Sequence, residues 1–240
     1  MCLSGTGPPG AGDRGPYNAG FDDRPKTYDE LRAAGHMARR RTEYFTRVVD
    51  QVPGVVLELG SGTGTLLRRL AAAHPDRTFV GVEPLANYVE FANAQAAAAG
   101  TANVRFEVGV GEALPAVVED GSVDLVISVD ALHHVTDVDR VVAEVRRVAA
   151  PGARWRAMEP NRTHPYVLAY HVLTPGERTF PARDFLRRAG RAGWQLRGRE
   201  RLFTYPSGVA RVPAWAAALE RRLEWVPPIS GAVVLDLVRA

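Results

Sequence analysis

The chain has 240 residues, 46% of them hydrophobic and 24% charged, which is enough apolar content for one large core in a soluble fold. Its formal charge of +3 rests almost wholly on arginine, with Lys26 the only lysine, and is too mild to argue for nucleic acid without a clustered basic face. The single cysteine, Cys2, excludes an intramolecular disulfide and a cysteine-rich metal site, and no apolar run reaches bilayer-spanning length.

Residues 1–26 are rich in Gly and Pro and read as a flexible segment, with no apolar run that would make a signal peptide or anchor. A cytoplasmic location is the default expectation. Residues 27–51 read as one helix, with an apolar stripe through Leu31, Ala34, Met37, Tyr44 and Val48. The run Arg39-Arg40-Arg41 on it reads first as a solvated face, with phosphate or carboxylate binding as the alternative. Pro53-Gly54 then breaks the chain.

An alternation of strand and helix follows. Strands are expected at 55–59, 78–82, 104–108, 123–128 and 154–158, and helices at 65–73, 84–99 and 137–149. The first strand, Val-Val-Leu-Glu-Leu, is apolar on both faces, as in a parallel sheet covered by helices. Residues 161–180 contain Pro165, Pro175 and several aromatics and read as an irregular insertion. A helix is expected at 181–192, a strand at 195–202, a helix at 214–224 inside a proline-rich stretch, and a last strand at 232–238. Residues 27–240 therefore read as one α/β domain.

The most informative stretch is Glu58-Leu59-Gly60-Ser61-Gly62-Thr63-Gly64. A buried strand ends in three alternating glycines and a helix begins, so a ligand can approach the backbone at the carboxyl end of the strand. A dinucleotide fingerprint, G-x-G-x-x-G, would need glycine where Thr65 stands. Glu58 would also repel a pyrophosphate, whereas the same carboxylate favours a ligand carrying an ammonium and a sulfonium. An NAD(P)-dependent oxidoreductase is therefore the weaker reading.

This segment resembles the first motif of class I, Rossmann-like S-adenosylmethionine-dependent methyltransferases, E/D-x-G-x-G-x-G. The resemblance extends over about residues 50–160 and is to the small-molecule type. It implies a seven-stranded, mostly parallel sheet with helices on both faces, the last strand antiparallel, and S-adenosyl-L-methionine as cofactor, leaving as S-adenosyl-L-homocysteine. It also implies cofactor contacts from Glu58, Gly60, Ser61, Gly62 and Gly64. Glu83, at the end of the second strand, corresponds to the acid that accepts two hydrogen bonds from the ribose diol, and Leu85 to the apolar residue against adenine. Gly109-Val110-Gly111-Glu112-Ala113-Leu114-Pro115 resembles the third motif but carries Val110 where many relatives have an Asp that bonds adenine. Gly111, through its N–H, and Glu112 are the remaining adenine contacts, and Ser128 closes the set. Val110 leaves a third reading open, a non-catalytic protein that only binds the cofactor.

For the chemistry, His134 follows Ser128-Val129-Asp130-Ala131 at the offset of the histidine that pairs with an N-terminal tyrosine in phosphoethanolamine methyltransferases. Tyr28 and Tyr17 are the candidate partners. His133 is a weaker candidate, because neighbouring side chains point apart. His164 and His171, with Glu159, Asn161, Tyr166 and Tyr170, stand as a possible substrate wall or as incidental surface residues. The spacing of His, Asp and Glu suggests no metal site. Residues 27–51, 161–180 and 203–230 are expected to form a lid over a small-molecule acceptor, with Trp215, Leu219, Leu223 and Val226 lining an apolar pocket or covering the sheet edge. No nucleic-acid or membrane partner is expected.

Overall fold

The computed structural model describes residues 24–174, 177–205 and 209–240. Two helices, α1 (Pro25–Ala33) and α2 (Gly35–Asp50), precede β1 (Val55–Leu59), α3 (Thr65–Ala73), β2 (Thr78–Glu83), α4 (Ala86–Ala98), β3 (Val104–Val108) and β4 (Val123–Val129). There follow α5 (Val138–Val148), β5 (Ala149–Pro160), α6 (Pro165–Leu173), α7 (Ala182–Arg191), β6 (Trp194–Leu202), α8 (Ala214–Leu223) and β7 (Ala232–Arg239).

The strands form one seven-stranded sheet in the order β3-β2-β1-β4-β5-β7-β6. Strands β1 to β5 pair in parallel, and β7 enters antiparallel between β5 and β6. The strand order reverses between β1 and β4, so the loops beyond their carboxyl ends diverge and open a crevice there.

Alternation along each buried strand sends neighbours to opposite faces. Val56 joins Phe45, Val48, Leu67, Leu70 and Ala92 in the core under α2, α3 and α4. Leu57 joins Val141, Val145, Trp155, Phe185 and Trp194 in the core under α5 and α7. Among the described residues, no helix is long and apolar enough to cross a membrane.

Three expectations change. The helix expected at 27–51 is two helices, because the chain turns at extended Ala34 and at Gly35, whose φ of +84° favours glycine. The irregular insertion contains a true helix, α6, started by Pro165 in its first turn and by the His164 side chain, which accepts from the Val167 N–H. Trp215 and Leu219 on α8 point to solvent, at 73% and 46% exposure, and line no pocket; α8 instead packs on α2 through its buried Glu220.

Candidate active site

The loop after β1 carries positive φ at Gly60, Gly62 and Gly64 (+65°, +56° and +74°), which explains glycine at alternate positions. A Cβ on Gly60 would lie 2.8 Å from that of Ala131, and one on Gly64 would enter the Phe106 ring. Protein partners hold four of the loop's N–H groups. Gly60 and Ser61 donate to Val82 O, Gly62 donates to Glu83 Oε2 at 2.9 Å, and Gly64 donates to Ser61 O. The α1 residue Asp29 ties the loop from above, accepting from Thr63 Oγ1, Thr65 Oγ1 and Arg68.

This loop is the floor of a cavity of about 260 Å³ at the switch point. Glu58, Gly60, Ser61, Gly62, Glu83, Leu85, Gly111 and Glu112 all line it, as do Tyr28 and His134. Gly64 lies behind it as the cap residue of α3. Ser128 is a correction: it is fully buried, accepts from Trp155 Nε1 at 3.1 Å, and lies outside the cavity. Its side chain alternates to the α5 face of β4, away from the crevice. Glu112 directs its carboxylate to the N–H groups of Thr136 and Asp137, so it fastens the loop before α5. Tyr17 lies outside the described residues.

Burial pushes Glu58 up to about 8, despite the opposing charges of Arg32 and Arg41. Burial also pushes Glu83 up to about 7, against the N–H groups of Gly62 and Leu85 that favour its ionised form. Glu58 Oε2 and Ser61 Oγ are buried with no hydrogen-bond partner among the described residues. Buried polar atoms in that condition call for a polar ligand. The resemblance-implied cofactor fits this donor set, since its ammonium and ribose hydroxyls are donors facing two carboxylates.

The sequence reading missed the basic wall of the cavity. Arg32 on α1 and Arg41 on α2 both reach Asp130 Oδ2, at 3.1 and 3.2 Å. Burial would raise Asp130, but the two guanidiniums hold it below the usual carboxylate range. Asp130 adopts a φ of +52°, an uncommon conformation for a residue with a Cβ, at the end of β4. The solvated-face reading of the arginine run holds for Arg39 alone. Arg41 is buried in the cavity wall, and Arg40 pairs with Glu220 and Glu224. Helical periodicity carried this signal only weakly, because the partners lie far off in sequence. Of the expected lid, residues from α1 and α2 line the cavity, and none of the described residues of 161–180 or 203–230 does.

Beyond Asp130 the chain is organised by Glu159 at the end of β5. Its Oε1 accepts from the N–H groups of Ala131 and Leu132, and its Oε2 from His133 Nδ1 at 2.7 Å. Burial would lower His133, but the Glu159 and Glu177 carboxylates carry it up to about 10. The His134 ring lies 4.1 Å from that of His133 and faces the cavity. Tyr28 faces the same cavity, packed on the Tyr88 ring, and its hydroxyl is pushed up by burial. Although sequence spacing suggests no metal site, His133, His171 and Glu177 converge within 4.8 Å.

Among known proteins, the methyltransferase-domain family matches residues 56–152. The "Probable tocopherol O-methyltransferase, chloroplastic" of Oryza sativa subsp. japonica is 34% identical over 153 residues, covering 56% of this chain and 41% of that protein. A ubiquinone/menaquinone biosynthesis C-methyltransferase of Caulobacter vibrioides is 28% identical over 166 residues, covering 64% and 65%. The matches span about two fifths of the length of several curated relatives. In fold, the crystal structure of the Bacillus subtilis YcgJ protein is similar with a TM-score of 0.61 and 21% identity, covering 84% of this chain and 98% of that one.

Proposed function

We propose that the chain is a class I, Rossmann-like methyltransferase that transfers a methyl group from S-adenosyl-L-methionine to an O, N or C atom of a small molecule, a reading supported by the methyltransferase-domain match over residues 56–152 and by the fold. The observation that carries this reading is Glu58, whose buried Oε2 has no partner among the described residues, beside a glycine loop in which the N–H groups of Gly60, Ser61, Gly62 and Gly64 are used within the protein. A pyrophosphate needs such N–H groups free and no buried acid beside them. The oxidoreductase reading therefore loses its phosphate site, while a cationic cofactor gains a partner.

When bound, S-adenosylmethionine supplies an electrophilic methyl carbon. Glu58 would hold its amino-acid end and Glu83 its ribose, and Gly60 and Gly62 would let both approach the backbone. Leu85 and Gly111 flank the adenine, with Val110 offering no side-chain acceptor there. Two arginines, the part-buried Arg32 and the buried Arg41, add positive charge for a carboxylate and leave the Asp130 charge neutralised. On the acceptor side, His134 takes the proton of the incoming nucleophile and Tyr28 orients it. Held in line, reactants gain effective molarities of roughly 10⁵–10⁸ M, and a base adds roughly 10²–10⁴-fold. The O- and C-methyltransferases among the relatives support a small-molecule acceptor. A cytoplasmic location goes with this reading, and the lone Cys2 makes no demand for an oxidising compartment.

Calorimetric titration with S-adenosylhomocysteine and with NAD tests the cofactor. Saturable binding of the first alone is expected, and binding of NAD alone overturns the proposal. An intact cofactor site with no methyl transfer to any acceptor in a small-molecule extract would favour the binding-protein reading. His134→Ala is expected to cut turnover at saturating cofactor by roughly 10²-fold or more, and wild-type turnover would remove His134 as the base.

A further inference from the structure

Outside the cofactor cavity, the loop after β4, the helix α6 and the segment just after it bring together three groups of metal-ligating type. His133 Nε2 lies 3.6 Å from Glu177 Oε2, His171 Nε2 lies 3.9 Å from the same oxygen, and the three ligand atoms fall within 4.8 Å of one another. Both His–Glu distances exceed the ordinary hydrogen-bond range and leave room between the groups. Both histidines are buried and Glu177 is half-buried.

The far side of each ring is fixed. His133 Nδ1 meets Glu159 Oε2 at 2.7 Å, and His171 Nδ1 meets Val167 O at 2.8 Å. Partners at Nδ1 fix both rings and aim each Nε2 into the cluster, the orientation found for metal-binding imidazoles, and a bound metal would displace any proton held at Nε2. The two Nε2 atoms then converge on one carboxylate oxygen.

We propose that His133 Nε2, His171 Nε2 and the Glu177 carboxylate bind a divalent transition-metal ion of the Zn²⁺ class. Two imidazoles and one carboxylate suit Zn²⁺ better than the all-oxygen ions Mg²⁺ and Ca²⁺. Ligands at roughly 2.0–2.1 Å in a tetrahedron stand about 3.4 Å apart, close to the 3.6 and 3.9 Å that separate the two Nε2 atoms from the Glu177 oxygen, and the cluster as a whole lies within 4.8 Å. Three protein ligands leave a fourth position open, as in catalytic rather than structural sites. The site adjoins the cavity, because His134, whose Nε2 is 4.0 Å from the same Glu177 oxygen, is part of the cavity wall. This assignment stands on the side-chain geometry and does not depend on the proposed activity.

The test is a calorimetric titration of chelator-stripped full-length protein with Zn²⁺, repeated with Co²⁺ to read the visible ligand-field spectrum. One equivalent is expected to bind, and His171→Ala and Glu177→Gln are each expected to weaken it by roughly 100-fold or more and to abolish the Co²⁺ spectrum. Circular dichroism of the metal-free variants establishes that they fold, and Tyr166→Ala, exposed on the same helix and outside the cluster, is expected to bind as the parent does. Absence of saturable binding in the parent protein, or unchanged affinity in both His171→Ala and Glu177→Gln, overturns the proposal.

Discussion

Glu58 and Glu159 are both buried glutamates at the carboxyl ends of parallel strands, β1 and β5, with β4 between them. Their surroundings differ in one respect. Glu159 accepts from two backbone N–H groups and from His133. Glu58 has an oxygen with no partner among the described residues, and burial pushes it up to about 8. A buried carboxylate that is satisfied holds structure together, and one left unsatisfied waits for a ligand. The two sides of the crevice therefore divide the labour: Glu159 builds the loop that carries His133 and His134, and Glu58 faces the cavity.

Substitutions separate these roles. Glu159→Ala leaves two N–H groups and an imidazole without their acceptor, and is expected to cost about 3–5 kcal/mol in chemical denaturation. A loss below about 1 kcal/mol would mean that Glu159 does not organise the loop.

The next effect is on pH dependence. Below about pH 4.5 Glu58 is protonated in both the folded and the unfolded chain. As pH rises from there to about 8, the unfolded chain releases the proton and the folded chain keeps it, so the ligand-free protein loses stability across that window. The expected slope is on the order of 1 kcal/mol per pH unit, and Glu83, raised to about 7, adds to it in the same direction. Glu58→Gln is expected to flatten the slope in thermal melts from pH 5 to 8, and an unchanged slope would contradict the unsatisfied-carboxylate reading.

The same variant is expected to bind S-adenosylhomocysteine roughly 10- to 100-fold more weakly at pH 8, the worth of one charged hydrogen bond. In the parent protein, affinity for this ligand is expected to fall as pH drops below about 8, because its ammonium prefers the ionised carboxylate. Calorimetry in buffers of different ionisation enthalpy reads the coupled proton release. The smallest effect is expected at the other end of the cavity. Val110→Asp restores the acceptor found in many relatives, on a residue that is 38% exposed and lines the cavity, and is expected to tighten cofactor-product binding by roughly two- to tenfold.

Much of the cavity was legible because its parts are contiguous in sequence. Gly60, Gly62 and Gly64 carry their backbone requirement in their identity, and Glu58 and Glu83 stand at the ends of strands recognisable by their apolar runs. Ser128 was misplaced because strand alternation sends its side chain away from the crevice, a one-residue matter of which face a strand residue takes. Arg41 was read as solvated because a helix shows its own periodicity but not the element that covers it.

The sequence alone therefore determined the βα alternation, the glycine loop and the charge beside it, since each follows from local backbone freedom and strand periodicity. Only the tertiary structure decided which side chains meet. The reversal of strand order between β1 and β4 set Glu58 and Asp130 in one crevice, and the packing of α1 and α2 delivered Arg32 and Arg41 to Asp130 across 98 and 89 residues. The same long-range packing gathered His133, His171 and Glu177, whose sequence spacing follows no ligand pattern, around a single carboxylate oxygen.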